Sequence, residues 1–143
     1  MKRSEIRKKI IEMLRDSTKA GSRVGLNVKM IANEVQRYPY IEVFSPFEES
    51  ETITHSVPHF HNELTITVEI TNQAPYEAVQ DDLDVICEQI RSTIERDVEL
   101  DGLVDSIDLI GTKTGFDDDG AFSLGRAVMK FRVLYQYKRQ EEW

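Results

Sequence analysis

The chain has one cysteine, one tryptophan, three histidines and no long apolar run. Each scarcity excludes something. A single thiol, Cys87, cannot close a disulfide within the chain. It stands between Ile86 and Glu88 in an acidic stretch, whereas a nucleophilic thiolate needs positive surroundings, so the expectation is a small, partly buried side chain. No segment approaches the roughly 18 consecutive apolar residues of a membrane span. The opening "MKRSEIRKKIIEMLRD" is basic but lacks an apolar core and a small-residue cleavage site, which points to synthesis in the cytosol without a secretion signal. With four prolines and seven glycines there is no low-complexity tract, internal repeat or dividing linker, so residues 1–143 are read as one domain.

Charge is plentiful but unevenly spread. Residues 1–40 hold ten Lys/Arg against four acids, residues 41–125 three against twenty, and residues 126–143 five against two. The total of −8 disfavours a protein whose main task is gripping nucleic acid. Opposite charge on different segments suits self-association, and it equally suits a plain solvated surface.

Periodicity supplies the elements. Ile6, Ile10, Met13 and Leu14 fall on one helical stripe within residues 3–17, with Ser4 as the expected N-cap. "VGLNVKMIANEVQRYPY" is ambiguous between short strand and helix. "YIEVFSP" alternates as a strand that Pro46 stops, and residues 48–56 read as a polar loop or hairpin tip. From Phe60 the pattern is clear: Phe60, Leu64, Ile66, Val68 and Ile70 share one face, with Asn62 the one misfit. After "NQAPYE", Val79, Leu83, Ile86, Ile90 and Ile94 mark a second helix reaching residue 98. "LVDSIDLIGTKTGF" alternates weakly, "DDDGAF" turns, and Leu124–Tyr137 forms a long last strand with Ala127, Met129, Phe131, Val133 and Tyr135 on one face. The expected fold is therefore α+β: two layers, a mainly antiparallel sheet of about four strands, and two helices packed on one face. The length of the last strand suggests an edge able to pair across subunits.

The candidate chemistry is sparse. His59, His61 and Glu63 alternate on one strand face, and His55 lies just upstream in "HSVPHFH". Two histidines one residue apart can chelate a metal that Glu63 or His55 would complete. The competing readings are a polar face at a strand entrance, which is preferred, and a pH-sensitive subunit contact. "DDDG" at 117–120 lacks the alternating acids of a calcium loop and reads as a turn. "GTKTG" lacks the ending of a phosphate loop, and no Gly-x-Ser-x-Gly elbow is present. No catalytic residue and no cofactor are expected.

Several stretches resemble the tail terminator proteins of long-tailed bacteriophages, the group related to phage lambda minor tail protein U. "EIRKKIIEML" is similar to that family's first helix, and "SRV" with "YPYIEVF" to two of its strands. The closest likeness is "AVQDDLDVICEQIRSTI" followed by "LDGLVDSIDLIGTKTGFDDDGAFSLGRAVMKFRVLYQY", while Phe47–His61 departs from the family pattern. The resemblance implies a homohexameric ring that caps the tail tube, ends tube polymerisation and offers a docking surface to a head completion or connector protein. It implies a place at the head-proximal end of the virion tail, assembly in the host cytoplasm, and DNA that only passes through. A head–tail joining or tail-completion protein of the neck is the alternative. A metal-dependent enzyme built on His59, His61 and Glu63 is the distant one.

Overall fold

A computed structural model describes residues 2–18, 20, 24–25, 38–52, 59–75, 77–119 and 122–138. The elements run α1 (Lys2–Ser17), β1 (Val24–Gly25), β2 (Tyr40–Thr52), β3 (His59–Pro75), α2 (Val79–Glu95), β4 (Ser106–Asp119) and β5 (Phe122–Lys138). The strands form one mixed sheet in the order β1-β2-β3-β5-β4. Only β1 is parallel to its neighbour; the other three pairings are antiparallel. The two-layer α+β architecture with two helices on the sheet is thus present, with five strands where about four were expected.

Apolar periodicity builds the layers. Ile6, Ile10 and Leu14 of α1 and Val79, Leu83, Ile86, Ile90 and Ile94 of α2 are buried. They meet Ile41 and Val43 of β2, Leu64, Ile66, Val68 and Ile70 of β3, and Ala127, Met129, Phe131 and Val133 of β5. Each such side chain, fully buried, contributes roughly 1.5–3 kcal/mol before chain entropy is subtracted. α1 packs over β1 and β2, and its Arg15 Nε donates to the Val24 carbonyl at 2.8 Å. α2 lies over β3 and β5.

Three expectations are corrected. Ser4 is no N-cap, because α1 already begins at Lys2. Residues 48–52 are strand, not loop: "EESET" has no apolar alternation, but it is held by pairing Glu48 through Thr52 with Leu64 through Phe60. The last strand is not an edge. β5 is hydrogen-bonded on both sides, to β3 from His59↔Lys138 to Pro75↔Phe122 and to β4 from Ser106↔Leu134 to Asp119↔Phe122. The crossover through α2 carries the chain from β3 past the position of β5 to the far edge, and the β4–β5 hairpin returns it to the gap. Among the described residues β4 is an outer strand, bonded only to β5, and β1 with the rest of β2 forms the opposite edge.

The turn after α2 uses three left-handed residues in a row, Leu100 (φ 47°), Asp101 (φ 59°) and Gly102 (φ 87°). Gly102 adopts this at no steric cost, while Leu100 does so because its buried side chain anchors the turn in the core. The Asp101 N–H donates to Asp97 Oδ1 at 3.0 Å, and the Asp105 N–H donates to the Leu134 carbonyl at 2.7 Å, which launches β4.

Asn62, the misfit in the β3 pattern, is buried among apolar neighbours. Its Nδ2 donates to the hydroxyl of Tyr135 at 2.9 Å, directly across the β3–β5 pair. This partner answers half of the buried amide; its Oδ1 has no hydrogen-bond partner among the described residues.

At about 3.3 Å per residue, the 17-residue strands β3 and β5 are about 56 Å long. At 1.5 Å per residue, the helices of 16 and 17 residues span about 25 Å. Much of the sheet therefore runs past these two helices, and among the described residues both helices pack on the same face.

Candidate assembly surface

The face of the sheet turned away from α1 and α2 is assembled from alternate residues of four strands. The register sets them in rows: Tyr40, Thr71, Arg126 and Gly115; then Glu42, Glu69, Val128 and Lys113; then Phe44, Thr67, Lys130 and Gly111. Further along come Thr65, Arg132 and Asp108, and then Glu63, Leu134 and Ser106. Read down the strands, β2 and β3 bring Glu42, Glu63 and Glu69. β5 brings Arg126, Lys130 and Arg132, and β4 adds Lys113. The β2–β3 side of the face is acidic, and the β4–β5 side is mainly basic, with Asp108 among its cations.

One ion pair joins the halves, Arg126 Nε to Glu69 Oε1 at 3.5 Å, and another lies within the β4–β5 side, Arg132 Nη2 to Asp108 Oδ2 at 3.7 Å. Their partly solvated geometry makes each worth at most about 1 kcal/mol. Lys130 has no acid in its own row, only Thr67 and Gly111. Thr67 and Thr71 are buried although they belong to this face, because their long neighbours lie over them: Phe44 and Lys130 beside one, Tyr40 and Arg126 beside the other. Their hydroxyls have no hydrogen-bond partner among the described residues. Tyr38 leans on Tyr40, ring centroids 5.6 Å apart, and closes the corner. The result is a charged surface with threonines beneath it.

Elsewhere the chemistry is ordinary. A solvent-open groove of about 560 Å³ runs between the end of α1 (Asp16, Ser17) and α2 (Val85, Glu88, Gln89, Ser92, Thr93, Arg96). Its hydroxyls are engaged close to home: Ser17 Oγ donates to the Met13 carbonyl at 2.7 Å, and Thr93 Oγ1 lies 2.7 Å from both Ser17 Oγ and the Gln89 carbonyl. No imidazole or thiol stands among the lining residues to activate them.

Cys87 is half-buried, as expected, and its thiol is pushed up to about 11, first by burial and then by the carboxylates of Asp84 and Glu88. Thiolate is the reactive form, so a rise from 9.0 to about 11 leaves about 100-fold less of it at neutral pH. Labelling by a disulfide reagent at pH 8 should accordingly run about 100-fold slower in the native protein than in urea. Equal rates in the two conditions contradict this environment. Because the folded state resists ionising this thiol, stability is intact below about pH 9 and falls as the pH rises toward 11.

The histidine stretch is described only in part. His55 lies outside the described residues. The backbones of His59 and His61 belong to β3, where they face Lys138 and Gln136 of β5, but their side chains also lie outside the described residues. Glu63, two positions on, is half-buried on the open face. Among the described residues, no group of three or more His, Cys, Asp or Glu side chains could hold a metal ion. Where a turn was expected at 117–120, Asp117–Asp119 are the last residues of β4, paired with Leu124, Ser123 and Phe122; Gly120 lies outside the described residues.

Sequence reasoning did not single out Arg126, Glu42 and Glu69 as members of one surface. Alternation marks each as outward, but only the register brings the three into adjacent rows. Among the described residues, no helix is long and apolar enough to cross a membrane. Compared with known proteins, the chain matches no family model and no curated sequence.

Proposed function

We propose that the protein is a bacteriophage tail terminator, which assembles as a ring on the end of the finished tail tube, stops further addition of tube subunits and presents a docking surface for the head. The observation that carries this reading is the sheet face turned away from α1 and α2, on which acids gather on β2 and β3 and most of the cations on β4 and β5. A ring requires a contact in which two different patches meet and the rotation closes. On this face the patches are already paired by sign: the Glu42, Glu63 and Glu69 side of one copy complements the Arg126, Lys130 and Arg132 side of the next. Charge complementarity of this kind guides orientation and encounter more than it adds raw affinity, which suits a subunit that must recognise a tube end. The work is done by assembly, not by catalysis. The partners are the protein itself in a homohexamer, the tail tube protein and a head completion or connector protein, with DNA only passing through.

Electron microscopy of phage lacking the gene provides the test. Overlong tails without heads are the expected result. Tails of normal length beside separate, full heads would move the protein to the neck as a joining or tail-completion protein.

A further inference from the structure

β4 is the outer strand of the sheet, and among the described residues only β5 is bonded to it. All residues from Asp108 to Phe116 are exposed, and the large apolar side chains Leu109, Ile110 and Phe116 are among them, Ile110 to 53%. Between Asp108 and Asp117 the only charge is Lys113. A long, nearly uncharged edge is a template for another strand, and native proteins normally blunt or cover it.

We propose that β4 pairs with β4 of a second copy, antiparallel, about a two-fold axis at the bulge formed by Ile110 and Gly111. The strand slips by one residue against β5 between Leu109↔Phe131 and Gly111↔Lys130, which leaves Ile110 as the extra residue. Before the bulge, Ile107 and Leu109 share the helix-side face with Val133 and Phe131; after it, Thr112 and Thr114 share that face with Met129 and Ala127. Asp108 and Lys113 fall on the open face, one on each side of the bulge. Opposed residues in an antiparallel pair must project from the same face. A two-fold axis anywhere else along β4 sets each copy's bulge against a regular residue and breaks the new ladder twice.

The axis at the bulge sets bulge against bulge. Leu109 then lies opposite Thr112 of the second copy and Ile107 opposite its Thr114, faces matching throughout. The same axis brings Asp108 opposite Lys113 twice, once on each side of the centre. The acidic tip at Asp117–Asp119 runs beyond the start of the other copy's strand instead of over its acids. Such an isologous contact saturates at two copies, so it removes the edge without starting a fibre. It leaves the open sheet face uncovered, and it goes beyond the terminator reading without resting on it.

Sedimentation of the full chain in the absence of tail tubes, from roughly 1 to 100 μM, is the first test, with a reversible dimer expected. Lys113→Glu places acid opposite acid in both contacts and should raise the dimer dissociation constant about 10-fold, as should Asp108→Lys. The double variant Asp108→Lys/Lys113→Glu restores attraction and should return to wild-type affinity. Both positions are exposed, so melting temperatures serve as the control for folding. Hydrogen exchange of the wild type gives an independent readout: the Leu109–Gly115 amides should become more protected as concentration rises. A chain that stays monomeric, with edge amides exchanging alike at every concentration, overturns the pairing. A double variant as weak as the single ones overturns the axis at the bulge.

Discussion

Gly125→Val is expected to cost about 3 kcal/mol or more of folding stability, and Gly125→Ala about 1–3. Gly125 sits in β5 where α2 crosses closest to the sheet. A Cβ built there would come within 2.7 Å of Leu83 Cδ1 and 2.8 Å of Val79 Cγ2, with Phe116 Cδ1 at 3.4 Å. The first two distances are shorter than real carbon contacts, so something must move. Leu83 can swing the end of its chain, but Val79 is branched at Cβ and stiff. The helix cannot simply lift, because its start is held by the turn in which the Ala78 N–H donates to the Pro75 carbonyl at 2.8 Å. Domains of this size are stable by roughly 5–15 kcal/mol, so the valine variant surrenders a large share of the total. Urea denaturation measures it. Since the clash is with named atoms, Val79→Ala in the Gly125→Ala background should recover part of the loss, a coupling that independent sites would not show. An alanine variant within about 0.5 kcal/mol of wild type would mean that α2 sits farther from β5 than described.

The second large effect falls on assembly instead of stability. Replacing Arg126, Lys130 and Arg132 together by Glu converts the basic half of the open face to acid. It sets like charges beside Glu69 and Asp108, the present partners of Arg126 and Arg132. All three positions are exposed, so the folding cost stays near 0.2–1 kcal/mol for each like-charge cross-strand pair, and circular dichroism should show a folded protein. In the proposed ring every subunit contact loses its complementarity at once. A phage lacking the gene and supplied with this variant should therefore make the same overlong, headless tails as the deletion itself. Restoration of normal tails would show that the open face is not where copies meet.

These two sites differ in how far the residues alone announce them. The stripe of α2 and the alternation of β3 are written in apolar spacing, because burial on one side imposes a period of 3.6 or of 2. The crossing that requires Gly125 is not written there, since it depends on which turn of α2 lands on which residue of β5. β1 is legible only as an ambiguity, short strand or helix, for a related reason: two residues, Val24 and Gly25, hold no period, and their parallel pairing with Ile41 and Glu42 makes them a strand. "EESET" looks like a loop because its partner supplies the reason for extension.

The place of β5 misleads in the opposite direction. Its length reads as that of an edge strand running past its own sheet, yet it lies between β3 and β4, which are as long as it or nearly so. What the alternation reports is that one face of β5 is turned away from the helices, not that one side lacks a partner. Asn62 is the instructive intermediate: its polarity is conspicuous within the β3 pattern, while its answer, the hydroxyl of Tyr135, stands 73 residues away. The candidate surface was legible to the same degree. Outward charges are visible one by one, and their sorting into an acidic and a mainly basic side appears only with the register.

The central claim is that copies of this chain close into a collar on a tube end. Purified protein mixed with isolated tail tubes and imaged by cryo-electron microscopy tests it most directly. The account predicts one ring of six copies at the head-proximal end of each tube and none along its length. Tubes with bare ends, alongside protein that stays monomeric or dimeric, would contradict it.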